Sequence, residues 1–266
     1  MSQRVRVSRE GSLAIVTLTR PEKHNGVDAA MLKAVVRSQK EVRKLRDVRA
    51  VVLCGEGPSF CAGLDFKSVL GDPLTMARMY MELWSRQKNL FQVWSMGWRE
   101  LGVPVIAVIH GNCFGAGIQL ALGADVRVAS PDSRISILEA KWGLVPDMGG
   151  VALLRELVRI DVAKELAMTG RTVSGVEAHA LGLVSHVSDD PMGHARRLAA
   201  ELETRSPDAV AAAKLLVQEA WRGSEESALG AERRWQRQLV GWKNQRIAVA
   251  RNQKRRELPF APRRIG

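Results

Sequence analysis

His110-Gly111-Asn112-Cys113-Phe114-Gly115-Ala116-Gly117-Ile118-Gln119 directly follows the apolar run Val103 to Ile109. A run that is apolar at every position reads as a strand covered on both faces. The glycines after it let backbone approach a ligand closely. The segment also opens a helix, whose free N–H groups favour developing negative charge. Working outward, a second loop of the same kind follows another buried run. Ala50 to Cys54 leads through the turn cluster Gly55-Glu56-Gly57-Pro58 into Ser59-Phe60-Cys61-Ala62-Gly63-Leu64-Asp65-Phe66-Lys67. Donors from two such loops form an oxyanion hole if they converge. Taken singly, each loop reads equally as a plain turn.

Around these loops the pattern is α/β. Val5 and Val7, then Leu13 to Leu18, read as strands joined at Glu10-Gly11-Ser12. Asp28 is positioned to cap a helix to about Leu45, with Met31, Leu32, Val35, Val36 and Val42 as its apolar stripe. Leu74 to Trp98 has a helical pattern rich in Met and Trp: Met76, Met79, Met81, Trp84, Trp94 and Trp98 read as core, with lining of a pocket as the other reading. Val126 to Ala129 is a further strand. Ser174 with Glu177 forms a capping box, and Ser206-Pro207 an N-cap followed by proline. From Met192 to about Arg256 helices dominate, with Trp221, Trp235 and Trp242 as expected anchors. The division expected is therefore an α/β core over 1–190 and a helical region over 191–266, ending in an irregular tail from Leu258 to Gly266.

Composition narrows the function. The 266 residues are 46% hydrophobic and 26% charged, as in a globular domain able to bury a core without staples. The net charge is +12, but residues 231–266 hold eleven Lys or Arg against two Glu, which leaves +3 for the rest. A basic end suits nucleic acid, an acidic partner or coenzyme phosphates, and it also reads as a solvated helix face and tail. Cys54, Cys61 and Cys113 form no disulfide framework, which fits a reducing compartment. The start, Met1-Ser2-Gln3-Arg4, has no apolar leader, and the apolar runs are too short to span a bilayer. A cytoplasmic protein is expected.

Neither loop is a P-loop or a complete dinucleotide fingerprint. No zinc-binding or serine-hydrolase motif is present, so no metal is expected. Cys61 and Cys113 read as small apolar residues, and His110 as a structural strand end. A third segment does offer acid–base chemistry: Ile137-Leu138-Glu139-Ala140-Lys141-Trp142-Gly143-Leu144-Val145-Pro146-Asp147-Met148-Gly149-Gly150. Apolar surroundings raise a carboxyl pKa and suit it to proton transfer. On these residues alone, Glu139 and Asp147 read as well as a surface salt bridge or a cap.

These pieces, in this order, resemble the crotonase (enoyl-CoA hydratase/isomerase) superfamily from about residue 4 to 256. The matching segments are Arg20-Pro21-Glu22-Lys23-His24-Asn25, Cys61-Ala62-Gly63-Leu64-Asp65, Gly111 through Leu122, Ala124-Asp125, and Glu139 through Gly150. The resemblance implies a crotonase-like (ClpP/crotonase) spiral of ββα units, with C-terminal helices supporting a homotrimer or a dimer of trimers. It implies an acyl-CoA thioester as substrate, with coenzyme A as part of that substrate and no separate cofactor. The backbone N–H groups of Leu64 and Ala116 would hold the thioester oxygen, and Glu139 would be catalytic. Lys23, His24, Ala62, Asp65, Phe66 and Lys67 would lie along the coenzyme path, with Trp142 beside the acid.

One departure matters. The family's hydratases carry a second catalytic glutamate where this chain has Gln119, which can contact the substrate by orienting a water or a carbonyl but cannot take a proton. Asp147 matches an aspartate of dienoyl-CoA isomerases, which also have an acid at the position of Gln119. The expected activity is therefore double-bond isomerisation of an enoyl- or dienoyl-CoA through a stabilised thioester enolate. Hydration of a 2-enoyl-CoA is the nearer alternative, and acyl-CoA or RNA binding without turnover the more distant one. Nucleic acid is not the expected partner, despite the basic end.

Overall fold

Alternating residues of the central strands face two different apolar layers, and this is why those segments are apolar throughout. The computed structural model describes residues 3–70, 77, 80–254 and 257–266. Strand β1 (Val5–Glu10) pairs antiparallel with β2 (Leu13–Leu18), as expected for a hairpin at Gly11. From β2 the sheet continues in parallel through β3 (Ala50–Gly55) and β4 (Val105–Ile109). It ends with β6 (Val126–Ala129) and β9 (His186–Val187), also parallel. Val16, Val51, Leu53, Val105 and Ala107 join the main core cluster. Their neighbours Ile15, Val52, Ile106 and Val108 join a second cluster with Ala195 and Ala199. Burying each such Val, Leu or Ile side chain contributes about 1.5–3 kcal/mol, so the sheet faces anchor the loops that leave its strands.

A second, three-stranded sheet follows β4 immediately. Strand β5 (Asn112–Phe114) pairs with β7 (Arg134–Ser136), which pairs with β8 (Val173–Ser174). The first glycine loop joins its edge through the bridge Cys61 to Cys113.

Helix α1 (Ala29–Lys44) starts where expected, with the Asp28 carboxylate accepting from the Met31 amide at 2.7 Å. Helix α2 (Phe66–Leu70) is short. The long helix expected from Leu74 to Trp98 is interrupted: Ala77 and Tyr80 to Glu82 are helical, Leu83 to Asn89 are not, and helix α3 (Leu90–Arg99) starts anew after Asn89, whose side chain and Gln92 form a reciprocal capping box. Trp94 and Trp98 are fully buried, but Met81 and Trp84 are exposed and are not core. Met76 and Met79 lie outside the described residues. Helix α4 (Ala116–Leu122) is buried throughout, and α5 (Gly150–Leu154) follows the third segment. Helices α6 (Ile160–Thr169) and α7 (Gly175–Ala180) complete this part, and Ser174 caps α7 as expected.

Beyond β9 come α8 (Pro191–Glu203), α9 (Pro207–Ala220), α10 (Glu225–Arg237) and α11 (Lys243–Lys254). Helix α9 is tied to the core by Lys214, whose ammonium is buried, pairs with Asp125 at 2.8 Å and donates to the Trp98 and Val103 carbonyls. Trp235 is half-buried, but Trp221 and Trp242 are exposed rather than buried anchors. The tail is irregular, as expected, yet it is not a free basic arm. Arg263 and Ile265 are buried. Asp208 accepts from the Arg264 and Ile265 amides, and the Arg264 guanidinium lies 4.1 Å from the Trp242 ring centre. Among the described residues no helix is long and apolar enough to cross a membrane.

Candidate active site

The early loop is built as a clamp. Arg20 is buried, with its guanidinium 2.9 Å from Asp65 and donating to the Gly26 carbonyl. Asn25 adopts a positive φ of 56°. Its side chain accepts from the Arg20 amide and donates to the Glu56 and Ser59 carbonyls, so it joins the early loop to the first glycine loop. The Ala62 amide donates to the His24 carbonyl, and the His24 ring meets the Ser59 hydroxyl at 2.9 Å.

This clamp sets the direction of the Leu64 amide. The Val27 amide donates to the Gly63 carbonyl and the Asp65 amide to the Val27 carbonyl. Successive groups along extended backbone point to opposite sides, so the Leu64 N–H faces away from Val27. The other loop brings Ala116 to the same place. Ala116 is the first residue of α4, where helical N–H groups have no internal acceptor. Its carbonyl is held by the buried Trp94 indole N–H at 2.9 Å. Neither the Leu64 nor the Ala116 amide finds an acceptor among the described residues.

The two loops touch directly. A Cβ on Gly63, whose φ is +90°, would fall 2.8 Å from the Phe114 carbonyl oxygen and 3.8 Å from the Ala116 nitrogen. At Gly117 a Cβ would fall 2.3 Å from the Cys61 oxygen. Gly117→Ala should therefore wedge α4 off the first loop. A stability loss on the order of 1–3 kcal/mol is expected in urea unfolding, the usual cost of overpacking, and an unchanged midpoint would show that the two loops need not touch.

Glu139 heads a short 3-10 turn and is buried, 9% exposed. Its Oε1 accepts from the Gln119 side-chain nitrogen at 2.6 Å and would lie 3.3 Å from a Cβ on Gly115, so the acid sits against the start of α4. Its Oε2 is buried and has no hydrogen-bond partner among the described residues. Burial raises the Glu139 pKa. Its own amide and Gln119 pull the other way, the Asp147 charge adds to the rise, and the net is upward. Asp147 is exposed, yet loss of hydration at its carboxyl raises its pKa too. Gln119 is held from behind, its Oε1 accepting from the Met148 and Gly150 amides at 2.9 and 3.0 Å. The Ser95 hydroxyl donates to the Met148 carbonyl and secures that loop to α3.

The remaining expected site residues are arranged around this centre. Phe66 and Trp142 stack at 4.2 Å between ring centres, linking the first glycine loop to the acid's loop, and Trp142 stays exposed. Ala62 is half-buried, while Lys23 and Lys67 are exposed and have no ion-pair partner among the described residues. Asp65, expected along the coenzyme path, is also tied down within its own loop. Its side chain is 14% exposed and is engaged by Arg20, the Ser68 amide and the Ser68 hydroxyl. Burial acts to raise its pKa, but these partners outweigh it and hold the carboxyl below its usual range. Cys61 and Cys113 are wholly buried, with the Cys61 thiol pushed up to about 12 by burial. That is the state of an inert thiol. His110 meets the Gly57 carbonyl, as a structural residue does. No group of three or more metal-ligating side chains occurs among the described residues.

Sequence reading missed Trp94 and Ser95 as supports of the two loops. Their roles depend on contacts 22 and 53 residues away in the chain, which apolar periodicity does not report.

A family model described as enoyl-CoA hydratase/isomerase matches residues 8–261. Enoyl-CoA hydratase EchA19 of Mycobacterium tuberculosis is 32% identical over 208 residues, 77% of each chain. Carnitinyl-CoA dehydratase of Salmonella paratyphi A is 34% identical over 217 residues, 80% of each chain. The crystal structure of an enoyl-CoA hydratase from Polaromonas sp. JS666 superposes with a TM-score of 0.86 at 29% identity, covering 97% of this chain and 99% of that one. The likeness bears out the expected crotonase-like architecture.

Proposed function

This chain belongs to the enoyl-CoA hydratase/isomerase family, and from that premise we propose that it shifts a double bond in an enoyl- or dienoyl-CoA by a one-carboxylate proton shuttle. The observation that carries this reading is the way Gln119 is used. Both lone pairs of its oxygen are taken by the Met148 and Gly150 amides, and its nitrogen donates to Glu139. No acceptor is left at position 119 to draw a proton from water. Glu139 has a free buried oxygen and a raised pKa.

In this reading, the Glu139 carboxylate takes the α proton of a 3-enoyl thioester. The electron pair moves onto the thioester oxygen, held by the Leu64 and Ala116 N–H groups. The same acid then returns the proton to the γ carbon as the pair moves back, so no atom is gained or lost. Each donor contributes about 3 kcal/mol and the base a factor of about 100 to 10,000. Lys23 and Lys67 are exposed cations suited to coenzyme phosphates, and the Phe66–Trp142 stack supplies an apolar wall. Asp65 serves by holding its loop. Assembly as a trimer or dimer of trimers belongs to the same proposal.

A second reading is hydration with Asp147 as the second acid. Its support is the influence of the Asp147 charge on Glu139 and the hydratase and dehydratase names of the relatives. A panel of 2-enoyl-, 3-enoyl- and dienoyl-CoA substrates followed by mass separates the two. Isomerisation changes retention time without changing mass, whereas hydration adds the mass of water. Robust hydration of crotonyl-CoA, abolished by Asp147→Asn, would favour the second reading. The pH profile is a further check. A base must be unprotonated to act, and burial raises the pKa of Glu139. The acid limb of kcat/KM should therefore lie above the ordinary glutamate range, with activity lost as pH falls through it. Asp147→Asn removes a nearby negative charge and should move that limb down.

A further inference from the structure

The side chain of Gln119 is 1% exposed and cannot turn over. Flipping its amide would face NH2 against the Met148 and Gly150 N–H donors, which now meet its oxygen at 2.9 and 3.0 Å. Its nitrogen must therefore point at Glu139 Oε1, 2.6 Å away. There is also no slack behind it, because a Cβ on Gly150 would fall 2.6 Å from Gln119 Oε1. An amide NH2 only donates, so Oε1 of Glu139 must remain an acceptor whether the acid is ionised or not. The other oxygen, Oε2, is buried without a partner among the described residues.

We propose that Gln119 is a positioning residue: its locked amide occupies Oε1 and confines the travelling proton to Oε2 of Glu139. Removal and return of the proton then take place at one oxygen, on one face of the substrate. This rests on the one-carboxylate reading above and extends it, since the same hydrogen bond also favours the ionised acid against burial.

The test is a carbon-13 NMR titration of side-chain-labelled glutamate, with Glu139 assigned by its absence from Glu139→Gln. In Gln119→Leu, loss of a hydrogen bond to a charged group should raise the proton affinity of Glu139 by about 10- to 100-fold. The acid limb of kcat/KM should move up with it, while KM changes less than kcat. Gln119→Glu is the second variant, because it keeps an acceptor for the Met148 and Gly150 amides if the leucine variant fails to fold. Ionised, it faces Glu139 with a second carboxylate, so the two must share a proton. Turnover should drop at least tenfold near neutral pH and recover towards lower pH. An unmoved titration in a folded Gln119→Leu, or a wild-type pH profile in Gln119→Glu, overturns the proposal. The shuttle itself fails separately: it falls if Glu139→Gln turns over normally, and it survives if Glu139→Gln is inactive while the Gln119 variants behave as wild type.

Discussion

Glu139→Gln is expected to slow turnover of a 3-enoyl-CoA by about 100- to 10,000-fold, the share of a positioned general base. Binding of a saturated acyl-CoA should change little, because glutamine keeps the shape and can still accept from Gln119 at one end. Stability provides the control. The pKa of Glu139 is raised by burial, so the folded chain binds that proton more tightly than the unfolded chain does. Stability therefore falls as pH rises from the ordinary glutamate value through the raised one, and above it the full cost of a buried carboxylate applies. Removing the charge at neutral pH should leave the melting temperature equal or higher. Slow turnover with undiminished stability separates loss of chemistry from loss of fold; normal turnover in the variant would remove Glu139 from the mechanism.

Trp94→Ala should produce the largest loss of stability. The ring is fully buried in the main core cluster, and truncating such a residue costs about 3–5 kcal/mol. For a chain of this length each kcal/mol lowers the melting temperature by about 2–4 °C. The indole also holds the Ala116 carbonyl at the start of α4. Turnover should accordingly fall even at temperatures where the variant is folded, since the Ala116 amide, the second donor in the proposed oxyanion hole, loses its support. Trp94→Phe keeps most of the volume and loses one hydrogen bond, worth about 1 kcal/mol; it should fall between the two. A cost under about 1 kcal/mol for the alanine variant, read from denaturant midpoints, would show that α3 does not brace this loop.

Much of the fold could be read directly from residue patterns, for a physical reason. Ala50 to Gly55 is apolar at successive positions because its two faces enter two different clusters. Asp28, Ser174 and Ser206 were recognisable as caps because capping is a local event, completed three residues away. The break before α3 was missed for the opposite reason. Met and Trp dominate the pattern on both sides of it, while the polar Ser85-Arg86-Gln87-Lys88 and the Asn89–Gln92 box mark where the helix stops and starts again. The tail shows a further limit: basic residues suggested solvent, but Arg263 is buried by donating to the Val48 and Ile265 carbonyls.

The candidate site was legible in its residue types and not in its wiring. Glu139 and the two glycine loops stood out as chemistry in an apolar setting. Nothing in the chain reveals that Arg20, 45 positions earlier, is buried against Asp65. Gln119 was recognised as lacking an ionisable group, but the orientation of its amide is fixed by backbone N–H groups 29 and 31 residues away. Main-chain donors leave no mark on sequence.

The most direct measurement is a crystal structure of the protein with a saturated acyl-CoA that cannot react. The thioester oxygen should accept from both the Leu64 and Ala116 amides, with Oε2 of Glu139 facing the α carbon. A thioester bound elsewhere, or an oxygen held by neither amide, would contradict that arrangement.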